Sequence, residues 1–190
     1  MNFDLRYTNV LQGVPYSLYT QVMNRDTGPF THSASNHLFG ASLWLPVDDT
    51  VVRLTAEYAS TISTQNFFSF GKYQYGVTYE DAVYRWNYRG RSMGASVDTD
   101  SRLASFQASF IGGNGINYSF SFDHAMIGSP APGSVNRLTT TPITINSGEL
   151  RLSFPLGQFK FDLAGRYQDD QLRPNSGGLF GVESRIRMAL

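Results

Sequence analysis

From Phe159 to Gln168 the apolar residues Phe159, Phe161, Leu163 and Tyr167 alternate with Lys160, Asp162, Ala164, Arg166 and Gln168. Successive side chains of a β-strand point to opposite faces, so this spacing predicts a strand with one greasy and one polar face. The last stretch repeats it, with Phe180, Val182, Ile186, Met188 and Leu190 against Glu183, Arg185 and Arg187. The same rhythm predicts nine strands, over residues 2–10, 15–23, 36–46, 50–60, 101–112, 116–126, 146–155, 157–168 and 178–190. The connections are alternately short and long: 11–14, 24–35, 46–49, 60–100, 112–115, 127–145, Leu156 alone, then 169–177. Alternating strands joined by short turns and long loops in turn are the signature of a transmembrane β-barrel.

A soluble sandwich also alternates, so the character of each face has to decide. The polar faces collect Asp4, Arg6, Arg53, Glu57, Asp123, Glu149, Arg151, Lys160, Asp162, Arg166, Glu183, Arg185 and Arg187. Both signs are interspersed, as an aqueous lumen lined by mutually compensating charges requires. The opposite faces are bulky and aromatic: Phe3, Leu5 and Tyr7; Tyr16, Leu18 and Val22; Phe39, Leu43 and Leu45; Val52, Leu54 and Tyr58; Phe106 and Phe110; Tyr118, Phe120 and Phe122; Leu150, Leu152 and Phe154. Such faces suit lipid, with Tyr at the interfaces.

Composition sharpens this picture. The chain has 190 residues, enough for one domain, and 15 basic residues balance 15 acidic ones. Without a net field, nucleic acid is not an expected partner. A mean hydropathy of −0.25 fails any test for spanning helices, but a barrel needs only its outward half apolar. The 11 Tyr, 14 Phe and 18 Gly suit aromatic girdles and strand turns, and zero Cys excludes a disulfide framework or thiolate metal site.

Bacterial outer-membrane barrels keep short turns in the periplasm and long loops outside. The four long connections are then extracellular and Leu190 periplasmic. Nine is odd, whereas bacterial single-chain barrels have an even count. Met1 is also followed at once by Asn2, Phe3 and Asp4 rather than by a basic and then apolar leader. Both features predict a C-terminal portion of a longer barrel, lacking at least one upstream strand. In the longest loop the stretch 65–79 is dense in Phe and Tyr, and 84–88 is expected to extend a strand above the membrane. Gly128, Pro130, Pro132 and Gly133 mark another long loop as turn-rich.

Other candidate chemistry is weak. His32, His37 and His124 have no metal-ligand spacing, and no metal or cofactor is expected. Gly112-Gly113-Asn114-Gly115 lacks the Lys-Ser/Thr of a phosphate loop and reads as a hairpin turn. Asp169-Asp170 reads as a solvated pair, no Gly-x-Ser-x-Gly elbow occurs, and the sequon at Asn117 sits mid-strand.

Tyr84-Arg85-Trp86-Asn87-Tyr88-Arg89-Gly90-Arg91-Ser92-Met93-Gly94, followed by Asp98-Thr99-Asp100-Ser101-Arg102, resembles the signature of the Wzi-type capsule-assembly family. Residues 13–21 resemble that family too, and the similarity corresponds to its C-terminal half. The resemblance implies an 18-stranded outer-membrane barrel, closed below by a small helical element, acting at the cell surface as a lectin for capsular polysaccharide. The chain departs from the family pattern where Gly94 is followed by Ala95 rather than His, and where it ends on Leu190 rather than an aromatic residue. The missing amino-terminal half would leave two unsatisfied sheet edges in lipid.

Sugar recognition needs flat apolar faces for the ring and planar hydrogen-bonding groups for hydroxyls or uronates. Trp86 and Tyr88 supply the first, Arg89 and Arg91 the second. Asp98 and Asp100 can accept from sugar hydroxyls or fix the two arginines by ion pairing; the bland alternative makes the whole set a structural belt at the barrel mouth. The expected function is a non-enzymatic surface lectin, held in outer-membrane lipid, that anchors capsular or other extracellular polysaccharide. Its alternatives are a barrel hydrolase, which requires a Ser or Asp within reach of a His at one rim, and a passive porin-like channel.

Overall fold

The computed structural model describes residues 2–24, 34–66, 68–69, 71–78, 87–88, 91–92, 96–169 and 177–188. The elements are β1 (Asn2–Leu11), β2 (Val14–Asn24), β3 (Ser35–Val47), β4 (Thr50–Thr64), β5 (Tyr73–Gln74), β6 (Asn87–Tyr88), β7 (Arg91–Ser92), β8 (Arg102–Gly112), β9 (Asn117–Ile127), β10 (Ile143–Leu156), β11 (Phe159–Gln168) and β12 (Leu179–Met188). Among the described residues there is no helix. The long strands join sequential neighbours into one antiparallel sheet, β1-β2-β3-β4-β8-β9-β10-β11-β12, and β5 adds to the far end of β4.

The sheet is open. A closed barrel is not formed: β1 pairs only β2, and β12 pairs only β11. With an odd number of long strands in series, β1 and β12 run the same way, so joining them directly would make one parallel seam in an antiparallel sheet. Residues 87–88 pair with 91–92 as a separate two-residue hairpin rather than as an extension of a long strand.

The turns follow from local chemistry. Gln12 and Gly13 both take positive φ, 50° and 82°, the two-residue turn whose twist matches flanking strands. The single-residue link expected at Leu156 is instead the Gly157–Gln158 turn, with Gly157 at φ 60°, because β10 continues through Leu156.

The register keeps the alternation coherent across the whole sheet. One row runs Arg6, Tyr19, Gly40, Glu57, Ser105, Asp123, Ser147 from β1 to β10. Below it runs Ser119, Arg151, Ala164, Glu183. Arg53, Glu149, Lys160, Asp162, Arg166, Arg185 and Arg187 occupy positions of the same parity, so the ionic residues of the long strands share one face, with Arg102 at the start of β8 the exception. The other face carries Phe3, Leu18, Tyr58, Phe106, Phe122, Leu150, Leu163 and Val182.

Much of that apolar face stands exposed. Leu150 is 64% exposed, Phe180 75% and Val182 74%. The accessible surface of 12328 Å² exceeds the roughly 9,000 Å² of a compact monomer of this mass. Buried apolar side chains occur on both faces: Val22 and Ala108 share the parity of the apolar face, whereas Val97, Ala125 and Ile127 pack with Leu103, Ile143 and Ile145 on the ionic side, at the long-loop end. The segment before β8 therefore folds inward over the ionic face rather than outward over the apolar one.

Candidate functional site

Of the residues expected to hold sugar, Trp86 and Arg89 lie outside the described residues. Tyr88 and Arg91 are partners across the β6–β7 hairpin, which brings these two residue types opposite each other.

Asp98 and Asp100 have a different setting. They are 4% and 0% exposed, and both take left-handed backbone conformations, φ 60° and 55°, which aspartate tolerates better than most residues. The backbone N–H of Arg137 donates to Asp98 Oδ2 at 2.8 Å. Those of Gly76 and Val135 donate to Asp100 Oδ2, each at 2.8 Å. The carboxylates are thus filled from within the chain, by the loop after β4 and the loop after β9, and neither is presented outward.

The neighbouring residues complete a polar clasp. Thr61, on the ionic-face side of β4, donates to the Asp98 carbonyl at 2.6 Å and accepts from the Ser101 N–H at 2.9 Å. Thr99 donates to the Thr78 carbonyl at 2.8 Å, and the Asn136 amide donates to the Thr99 carbonyl at 2.6 Å. Ser63 and Thr78 share the Asn36 carboxamide oxygen. Burial raises the pKa of Asp100 above its ordinary value; the Val135 and Gly76 N–H groups oppose that rise, and the charge on Asp98 adds to it. This clasp fixes three chain segments over the long-loop end of β3, β4, β8 and β9.

The ionic face is organised in two styles. Near β12 it is a ladder of ion pairs: Glu149 accepts from Arg151 at 3.0 Å and from Arg166, and Arg166 reaches Glu183 at 3.1 Å. Arg187 joins Asp162 at 2.6 Å. Near β1 it is an aromatic brace, in which the Arg6 guanidinium sits 4.9 Å from the Tyr19 ring centre and the Tyr19 hydroxyl donates to Glu57. Tyr19 reaches β4 by lying across β3 at Gly40, where an added Cβ would meet its ring at 2.2 Å. Spacing in sequence gives no signal for either the brace or the clasp, since both depend on partners from other strands and loops.

The rim of the other face carries a third array. His124 Nδ1 lies 2.7 Å from Asn146 Oδ1, and Asp169 accepts from both the backbone N–H and the side-chain amide of Asn146, each at 2.7 Å. This orders an imidazole at the long-loop end, but the group it meets is a carboxamide and not a Ser or Asp nucleophile. His37 meets Thr64 Oγ1 at 3.0 Å, buried beside the clasp. Among the described residues no group of three or more His, Cys, Asp or Glu could hold a metal ion.

Compared with protein-family models, with curated proteins and with solved structures, the chain matches none.

Proposed function

We propose that the chain forms part of the wall of an outer-membrane β-barrel that binds extracellular polysaccharide on its long-loop side, as a non-enzymatic surface lectin of the Wzi type. The observation that carries the membrane half of this reading is the exposed apolar face. A sheet that leaves Phe, Leu, Val or Tyr side chains at least 40% exposed on one face in each of nine adjacent strands calls for an apolar solvent, because burial of such side chains is worth about 1.5–3 kcal/mol each. The strand lengths agree. Nine strands of 10 to 15 residues, tilted by about 40°, each cover the roughly 25 Å apolar band of an outer membrane.

Aromatic pairs near the short-turn end fit the interface girdle of such barrels. Phe110 and Tyr118 stack at 4.6 Å, and Phe154 and Phe161 at 5.4 Å. The free edges of β1 and β12 call for further strands, in odd number if every pairing is antiparallel, because unpaired backbone groups are costly in lipid.

The polysaccharide half rests on the resemblance of residues 84–102. Each sugar contact is weak, but a polymer repeats its epitope, so many surface copies hold it through effective concentration. Trp86 and Tyr88 act as stacking platforms, and Arg89 and Arg91 as donors. The test is co-sedimentation of purified capsular polysaccharide with vesicles carrying the chain. Retention above that of bare vesicles, lost in Trp86→Ala with Arg89→Ala, supports the reading; equal retention by bare vesicles ends it.

A further inference from the structure

The ionic face holds one hollow large enough for a small ligand. It has a volume of about 400 Å³, within the range of small-molecule sites, and polar Ser121, Asp123, Ser147, Glu149, Arg166 and Gln168 line it together with the apolar or aromatic Leu179, Tyr167 and Phe180. Two features of the register make it. Gly181 stands directly across from Arg166, so a bare backbone replaces a side chain on β12. Ser121 and Ser147 give short side chains on β9 and β10, beside the apolar pad of Ala125 and Ile145 on which the inward-folded loop sits.

We propose that this hollow is a saccharide subsite that prefers neutral or amino-bearing sugar units to uronates. The proposal rests on the polysaccharide reading above and gives it a place and a selectivity. Sugars present neighbouring hydroxyls that both donate and accept. Asp123 and Glu149 accept, Arg166 and the Gln168 amide donate, and Ser121 and Ser147 do either. Such a mixture of convergent polar groups suits a polyol better than an apolar ligand.

The charge sets the selectivity. Asp123 and Glu149 face the hollow, and Glu149 is met by both Arg151 and Arg166, so Asp123 is the carboxylate left to an entering group. Arg166 is moreover shared between Glu149 and Glu183, so its charge is already answered. A uronate entering the hollow meets like charge without a free cation, whereas an ammonium or a neutral hydroxyl pair does not. This differs from the role proposed for Arg89 and Arg91, whose guanidinium chemistry favours acidic sugars.

Gly181 offers a clean way to close the hollow. A Cβ there meets nothing within 4 Å, and the backbone is not in the left-handed region, so Gly181→Leu fills the space without strain. The full chain in detergent micelles is titrated calorimetrically with three hexamers: maltohexaose, fully deacetylated chitohexaose and hexagalacturonate. The expected result is binding of the first two at least tenfold tighter than the third, and at least a tenfold loss in Gly181→Leu. Asp123→Asn, which preserves shape, should shrink the gap against the uronate. Uronate preference in the wild type, undiminished binding by Gly181→Leu, or unchanged selectivity in Asp123→Asn overturns the hollow while leaving the polysaccharide reading standing. If the wild type binds none of the three and fails to retain capsular polysaccharide on vesicles, both fall together.

Discussion

The clasp and the sheet reverse the usual relation between polarity and burial. In the clasp the side chains nearest to full burial are Ser35, Asp100, Thr99, Ser101 and Ser63, whereas on the sheet Phe180 and Val182 stand about three-quarters exposed. A protein folded for water alone puts its large apolar groups inside and hydrates its carboxylates. Here the polar groups are hydrogen-bonded among themselves, and the apolar ones look for a partner outside the chain. The contrast teaches that the two regions are built differently: directional hydrogen bonding fixes the loops, and on the proposed reading a surrounding apolar solvent meets the exposed face of the sheet.

The comparison breaks most sharply at the clasp. Replacing both Asp98 and Asp100 by Ala strands the N–H groups of Gly76, Val135 and Arg137, at about 1–3 kcal/mol for each buried unsatisfied donor. Hydrogen exchange should then accelerate strongly at those three amides while the sheet amides stay protected. Equal loss across the sheet would mean that the two regions are one cooperative unit.

Next in size is a charge on the apolar face. Leu150→Arg should cost about 2–4 kcal/mol in urea titrations of the lipid-reconstituted chain if the site lies near mid-bilayer. At a water-exposed position it would change little. Gly40→Ala follows, because the methyl collides with the Tyr19 ring and must push it off Glu57; relief of such overpacking costs about 1–3 kcal/mol. Tyr19→Leu combined with Gly40→Ala should then cost less than Gly40→Ala plus Tyr19→Leu taken separately, as double-mutant analysis of stability would reveal.

The smallest effect is on pH. Burial raises the Asp100 pKa, so as pH falls the folded clasp takes up a proton before the unfolded chain does. Its contribution to stability therefore grows as pH falls from the raised value to the ordinary aspartate range, and is lost again as pH rises through the raised value. Protection of the Gly76 and Val135 amides, corrected for intrinsic exchange, should increase on mild acidification. Asp100→Asn should flatten that dependence.

Much of the sheet is legible in the sequence because period-two alternation depends only on which residues are neighbours in the chain. Each of the nine expected strands lies within a few residues of an observed one, and the expected ionic residues fall on a single face. The Gly157 turn is harder to read, because Leu156 and Phe159 continue an acceptable pattern on either side of it. The clasp is not legible at all. An Asp-x-Asp-Ser element offers the same carboxylates to a sugar or to a backbone, and the choice is made by Val135 and Arg137, more than thirty residues away. Tyr19 likewise gains its role only when register sets Gly40 beside it and Glu57 beyond.

The central claim is that the apolar face of this sheet meets acyl chains while the ionic face meets water. Since the chain has no Cys, single cysteines can be placed along β10 and β12 and labelled with nitroxide after reconstitution in phospholipid vesicles. Collision with oxygen should dominate at 150, 152 and 182, and collision with a water-soluble nickel chelate at 149, 151 and 183, in strict alternation. Nickel access at all six positions, or protection from both reagents at 150, 152 and 182, would contradict the account.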